Sequence, residues 1–121
     1  MNDQEIRTVV TPFFYNGVDV ALQTIVAPAA NTKGVVVHGA SASVNTNSGK
    51  ARVMWKTSAP SGVTDTAAGT LAYRQGFGAQ AESGVVGGVG FPLILPPGVG
   101  LYAQKSDAGD AGFSCDYRII L

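Results

Sequence analysis

The sequence predicts an all-β fold: a single-domain β-sandwich, jelly-roll-like, with about seven or eight short antiparallel strands. Three observations predict it. The stretch from Phe113 to Leu121 alternates to the last residue, with Phe113, Cys115, Tyr117, Ile119 and Leu121 on one side and Ser114, Asp116, Arg118 and Ile120 on the other. That period of two marks a half-buried strand. Turn signals recur at intervals of roughly 10 residues, the spacing of a sandwich or barrel. No segment carries a convincing amphipathic-helix period, and no internal repeat is present. An immunoglobulin-like sandwich is the alternative architecture, although the single Cys115 leaves its Cys…Trp…Cys pattern incomplete.

Residues 1–5 read as a flexible polar arm, and 6–121 as the domain. Ile6 to Tyr15 is strand-like, with Pro12 pointing to an edge position or a bulge. Asn16-Gly17 predicts a type I′ hairpin turn. A returning strand from Val18 to Ala27 would set Val18, Val20, Leu22, Thr24 and Val26 on one face. Val35 begins a third strand that extends toward Ala42. After the polar cluster at 45–49, Ala51 to Thr57 forms a fourth. There Val53 and Trp55 share one face, and Arg52, Met54 and Lys56 the other. Ser58 to Gly69 reads as an exposed loop, and Thr70 to Arg74 as a short strand. Residues 75–83 are ambiguous, and a helical turn at 79–82 is too short to stand alone. Val85 to Leu95 is apolar but broken by Gly87, Gly88 and Gly90, which signal a bulge or a close backbone. Pro96-Pro97-Gly98 then makes a rigid turn before Val99 to Tyr102. Ser106 to Gly112 is a polar loop ahead of the last strand.

With 121 residues the chain has length for one domain and a real core. Charged residues make up 13%, about half the usual share, and 8 basic residues balance 8 acidic ones. Nothing in this balance draws the chain to nucleic acid or to an anionic membrane. It also gives little protection against self-association, so part of the surface is expected to be covered in an assembly. No apolar run is long enough to span a bilayer. Met1 to Glu5 lacks the basic and apolar parts of a signal peptide, so synthesis in the cytoplasm is expected. Cys115 falls on the inward face of the last strand, where a buried, inert thiol is expected.

Chemistry-bearing patterns are sparse. His38 is the only histidine. A Ser-His-Asp triad would need it, but it sits in an apolar strand and no Gly-x-Ser-x-Gly elbow occurs, so a structural role is expected. One His and one Cys fall short of a zinc site within one chain. Asp107 and Asp110 form a local acid pair between two strands, and an Asp/Gly turn explains them better than a calcium loop. The glycine-rich run 84–90 and Ser48-Gly49-Lys50 both lack a phosphate loop's sequel. Arg52 to Lys56 and Tyr73-Arg74 mix aromatic and basic residues as single-strand binders do, yet zero net charge favours packing. No cofactor is expected. Phe13-Phe14-Tyr15 stands out: adjacent aromatics on a strand alternate faces, so at least one ring must meet solvent or a partner.

The polar arm, the Thr/Ser/Ala/Gly-rich strands and the ending Leu93-Ile94-Leu95-Pro96-Pro97-Gly98-Val99-Gly100-Leu101-Tyr102 … Tyr117-Arg118-Ile119-Ile120-Leu121 resemble small tailed-bacteriophage virion structural proteins of the jelly-roll or β-sandwich kind. The resemblance covers mainly residues 84–121. It implies a non-enzymatic particle component, made in the host cytoplasm and located in the virion, that forms a homo-oligomer, with a trimer favoured. Its partner would be the major capsid protein or another virion protein. A capsid decoration (cement) protein is the leading expectation, with contacts from Ile6, Val9, Phe13, Phe14 and Tyr15 and a turn stiffened by Pro96 and Pro97. The alternatives are a tail or fibre component or receptor-binding head acting through loops 58–69 and 106–112, and a carbohydrate-binding module stacking sugars on Trp55 and Tyr102. A hydrolase with His38 as base is a further alternative, from a different class.

Overall fold

The computed structural model describes residues 11–17, 19–44, 49–75, 82–84, 90–106 and 111–120. Among these, alternation resolves into nine strand segments: β1 (Thr11–Gly17), β2 (Gln23–Val26), β3 (Val35–Val44), β4 (Lys50–Lys56), β5 (Gly69–Gln75), β6 (Glu82–Gly84), β7 (Leu93–Leu95), β8 (Gly100–Lys105) and β9 (Ala111–Ile119), with a single 3-10 turn at Pro28–Ala30. Among the described residues no helix is long and apolar enough to cross a membrane.

One sheet runs β1-β9-β3, with β6 and β7 both along the far side of β3, and the other runs β2-β8-β4-β5. β6 pairs with the Ala42–Val44 end of β3 and β7 with its Val35–Val37 end, so the two share one strand position. All pairings are antiparallel: β1 with β9, β2 with β8, β3 with β6 and β7, and β4 with β5 are nested, and β3 with β9 and β4 with β8 join them into the two sheets. This is a hairpin-like chain wrapped on itself, the jelly-roll topology. The expected all-β sandwich is therefore the observed one, with nine segments filling eight positions.

The core lies between the sheets. Val35, Val37, Ala40, Ala42 and Val44 of β3 meet Ala51 and Val53 of β4, Leu71 of β5, Leu101 and Ala103 of β8, and Phe113 and Cys115 of β9. On β3 the buried positions change from odd to even numbers. The β3–β9 register slips between Val37 and Gly39, leaving His38 as the extra residue of a bulge. Because the bulge resets the alternation, both halves of β3 face the core. A second bulge, in the β4–β5 pair, makes Leu71 the extra residue, and Leu71 and its neighbour Ala72 both enter the core.

Several expectations are corrected. Asn16 and Gly17 do not turn a hairpin: they stay in β1, opposite Gly112 and Ala111 of β9. Partnership with a strand nearly a hundred residues away overrides the local turn preference, and the chain then crosses to the other sheet. The second strand accordingly begins at Gln23, is bulged near Ile25, and leaves Val20 outside it. Ala111 and Gly112 belong to β9 and not to the preceding loop. Pro12 does lie on an edge, since β1 pairs only with β9 among the described residues. Pro96-Pro97-Gly98 also makes its turn: Val99 N–H donates to Pro96 O at 3.3 Å, with Gly98 at φ 85°, the positive value that the third position of a type II turn requires. The turn joins strands of different sheets. Leu121 and residues 1–10, including the arm, Ile6 and Val9, lie outside the described residues, as do Val18, Gly87, Gly88, Asp107 and Asp110.

Candidate interaction surface

The aromatic triplet divides by strand parity. Phe13 and Tyr15 pack against the core, and Tyr15 stacks on Phe113 of β9 with ring centroids 5.4 Å apart. The Tyr15 hydroxyl also secures the corner after β1: it accepts from Asp19 N–H at 2.7 Å and donates to Asp19 O at 3.0 Å. Phe14 points the other way and is 74% exposed. Of the three expected contact rings, one is therefore free to meet a partner.

Pro96 and Pro97 are exposed but sit elsewhere. The turn follows Leu95, which lies in the row of Val35 and Ile119, whereas Phe14 lies opposite Ser114. Five residues along β9 separate the rows, roughly 17 Å. Phe14 and the proline turn are thus not brought together. The turn is clamped from within by Asn31, a buried residue whose role the sequence did not signal. Its Nδ2 donates to Pro96 O and Val99 O, each at 2.9 Å, and its Oδ1 accepts from Gly34 N–H at 2.7 Å.

The loop between β4 and β5 is not the free surface expected. It folds back on the outer face of the β2-β8-β4-β5 sheet, burying Pro60, Val63, Asp65 and Ala68. Arg52 holds it. The guanidinium donates to the backbone oxygens of Val63 (3.1 Å), Asp65 (2.7 Å) and Ala68 (2.6 Å), and Nε donates to Thr70 Oγ1 at 2.8 Å. Burial lowers the Arg52 pKa, opposed by the nearby Asp65 carboxylate. Asp65 is the second anchor: it accepts from Lys56 Nζ at 2.6 Å and from the N–H groups of Ser61 and Ala67 at 2.9 and 2.8 Å. The Lys56 hydrogen bond, then those backbone donors, hold its carboxyl far below the usual range. Of the two loops that the receptor-binding alternative relies on, 58–69 is therefore pinned to the sheet through its backbone.

The residues assigned to other chemistries are placed with equal clarity. Tyr102 is 3% exposed, and its ring and hydroxyl lie across Gly100 beside Pro28, so no sugar can stack on it. Trp55 is half-buried against the core, with its indole over Gly69. His38 is exposed at its bulge, and among the described residues no serine hydroxyl or carboxylate bonds to it. The Ser41 and Ser114 hydroxyls bond to each other. Cys115 is buried, and burial, reinforced by Asp116, pushes its thiol up to about 12. Among the described residues no cluster of His, Cys, Asp or Glu could hold a metal.

The outer face of the β1-β9-β3 sheet with β7 is mixed: Val36 on it is buried, while Phe14 on β1 is exposed. Ile94, 66% exposed, lies there on β7, since its neighbours Leu93 and Leu95 face the core. No protein-family model matches the sequence, and no curated protein matches it. Among solved structures the chain is similar to the Yersinia pseudotuberculosis-derived mitogen, at 9% identity and a TM-score of 0.34, over 92% of this chain and 86% of that one.

Proposed function

We propose that this chain is a non-enzymatic virion structural protein, a decoration protein that binds the assembled capsid. The observation that carries the reading is the division of the two outer sheet faces. One is covered by the chain's own loop, pinned by Arg52 and Asp65, while the other carries Phe14 and Ile94, exposed large apolar side chains among the described residues. Exposed apolar side chains on a broad sheet face, in a protein of balanced charge, suit permanent burial against other subunits. A protein that binds only the assembled shell stabilises it by mass action. The likeness of residues 84–121 to phage structural proteins supports the same reading.

Immunogold electron microscopy of the parent virions, with antibody to the purified chain, tests it. Gold over the head is the expected result. Gold confined to the tail would replace decoration with a tail role, and unlabelled virions would remove the particle reading altogether.

A further inference from the structure

We propose that Asn16-Gly17 is a self-modification site: a deamidation site that the pairing of β1 with β9 keeps unreacted, and that reacts when this end of β1 lifts. The sequence supplies the chemistry. Of the asparagines in the chain only Asn16 is followed by glycine. In the reaction the Gly17 backbone nitrogen attacks Cγ of Asn16. The new N–C bond closes a succinimide ring, and the bond from Cγ to the side-chain nitrogen breaks. The Gly17 amide proton leaves with that nitrogen as ammonia. Water then opens the ring at either carbonyl, giving aspartate or isoaspartate. Glycine suits the attack because no Cβ shields its nitrogen.

The structure leaves the Asn16 amide accessible and blocks the ring closure. Asn16 is exposed, on a strand that β9 alone holds among the described residues. Its register partner is Gly112, and Asn16 Oδ1 lies 3.9 Å from where a Cβ on that glycine would stand, so the facing residue has no side chain to cover the amide. Closure requires the Gly17 nitrogen to swing toward Cγ by rotation about ψ of Asn16. A paired antiparallel strand holds ψ at about +135°, with the next nitrogen turned out of reach. Anchors stand on both sides of the bond. Before it, Tyr15 stacks on Phe113 and its hydroxyl holds Asp19. After it, the Gly17 carbonyl accepts from the buried Lys105 Nζ at 2.7 Å.

The gate is therefore the docking of β1. An edge strand is held by one ladder, and its end is where local opening costs least. The product changes the strand. Isoaspartate inserts one extra carbon into the main chain between residues 16 and 17. The register of Asn16 with Gly112 and of Gly17 with Ala111, and the reach of Gly17 O to Lys105, cannot then all be kept. A transient opening becomes a permanent one, whatever partner the domain serves.

Peptide mapping by mass spectrometry, with isoaspartate detection at residue 16, tests this on the full chain in mildly alkaline buffer. A synthetic peptide of residues 11–21 gives the rate without the fold. The native chain is expected to react at Asn16 at least about tenfold more slowly than the peptide, and urea below the unfolding midpoint should raise its rate progressively. Tyr15→Phe keeps the ring but loses the Asp19 contact, and should speed the reaction at Asn16 several-fold. The urea series needs no variant and decides the matter should Tyr15→Phe fail to fold. A native chain that reacts as fast as the peptide, other asparagines that react ahead of Asn16 once the fold opens, or an Asn16 that stays intact in high urea would each overturn the proposal.

Discussion

At the residue scale, Gly69 and Trp55 show how one position without a side chain sets another. The start of β5 runs under the Trp55 indole, and a methyl group placed on Gly69 would overlap the ring carbons and Nε1. The indole is a rigid plate with its other side on the core, so it has little freedom to yield. Gly69→Ala should therefore lower stability by about 1–3 kcal/mol, the usual range for overpacking, as read from urea unfolding. Gly90→Ala, where an added methyl meets open space, is the matched control. Asn31 is the polar counterpart: its side chain binds three backbone groups at the β7–β8 turn and the approach to β3, holding together segments 65 residues apart.

At the element scale, the loop between β4 and β5 behaves as a strap fixed at two points. Arg52 gathers carbonyl groups that would otherwise be buried without partners, a geometry that the forked guanidinium suits and a lysine does not. Asp65 fastens the strap to Lys56 and caps two loop N–H groups. Its carboxyl has a folded pKa below the unfolded value of about 3.9. The stabilisation is then present above about pH 4 and is lost as pH falls through the folded value. The protection factors of residues 58–68, taken against the intrinsic exchange rate at each pH, should accordingly fall in acid while those of the core strands hold. In Asp65→Asn the loop's protection factors should be lower at neutral pH and should no longer fall in acid. Equal exchange in both proteins at neutral pH would show that Arg52 alone holds the strap.

At the scale of the whole molecule, nested pairing makes most contacts distant in sequence. β9 is the central example: it is flanked by β1 on one side and β3 on the other, inside its sheet. Cys115 marks this position, opposite Phe13 on β1 and Ala40 on β3. With a pKa of about 12 the thiol stays protonated at ordinary pH, and burial shields it further. Reaction with a thiol reagent in native buffer should therefore proceed at the rate of global opening. It should rise with urea in step with loss of the circular dichroism signal. Labelling much faster than unfolding would show that β1 or β9 peels away locally.

Residues near in sequence were enough to reveal the fold class, the alternation of β9, the edge position of Pro12, the split of Phe13, Phe14 and Tyr15 between faces, and the Pro96-Pro97-Gly98 turn. Each depends on side-chain period or backbone stereochemistry, which neighbouring residues set. The period of β3 was also written locally, since Ala40, Ser41, Ala42, Ser43 and Val44 alternate out of step with Val35 and Val37 around His38 and Gly39. Tertiary structure alone decided the rest. Asn16-Gly17 has a strong turn preference, but β9 offers it a ladder, and paired backbone groups outweigh a preference of under a few kcal/mol. Polar residues 58–68 read as solvated because sequence shows no sign that Arg52 would bind their carbonyls. Likewise Phe14 and Ile94 are only alternate residues of two strands until the sheet order sets them on one outer face. Strand alternation is a property of the chain, whereas the partner of each strand face is a property of the packing, and that is where the candidate surface arose.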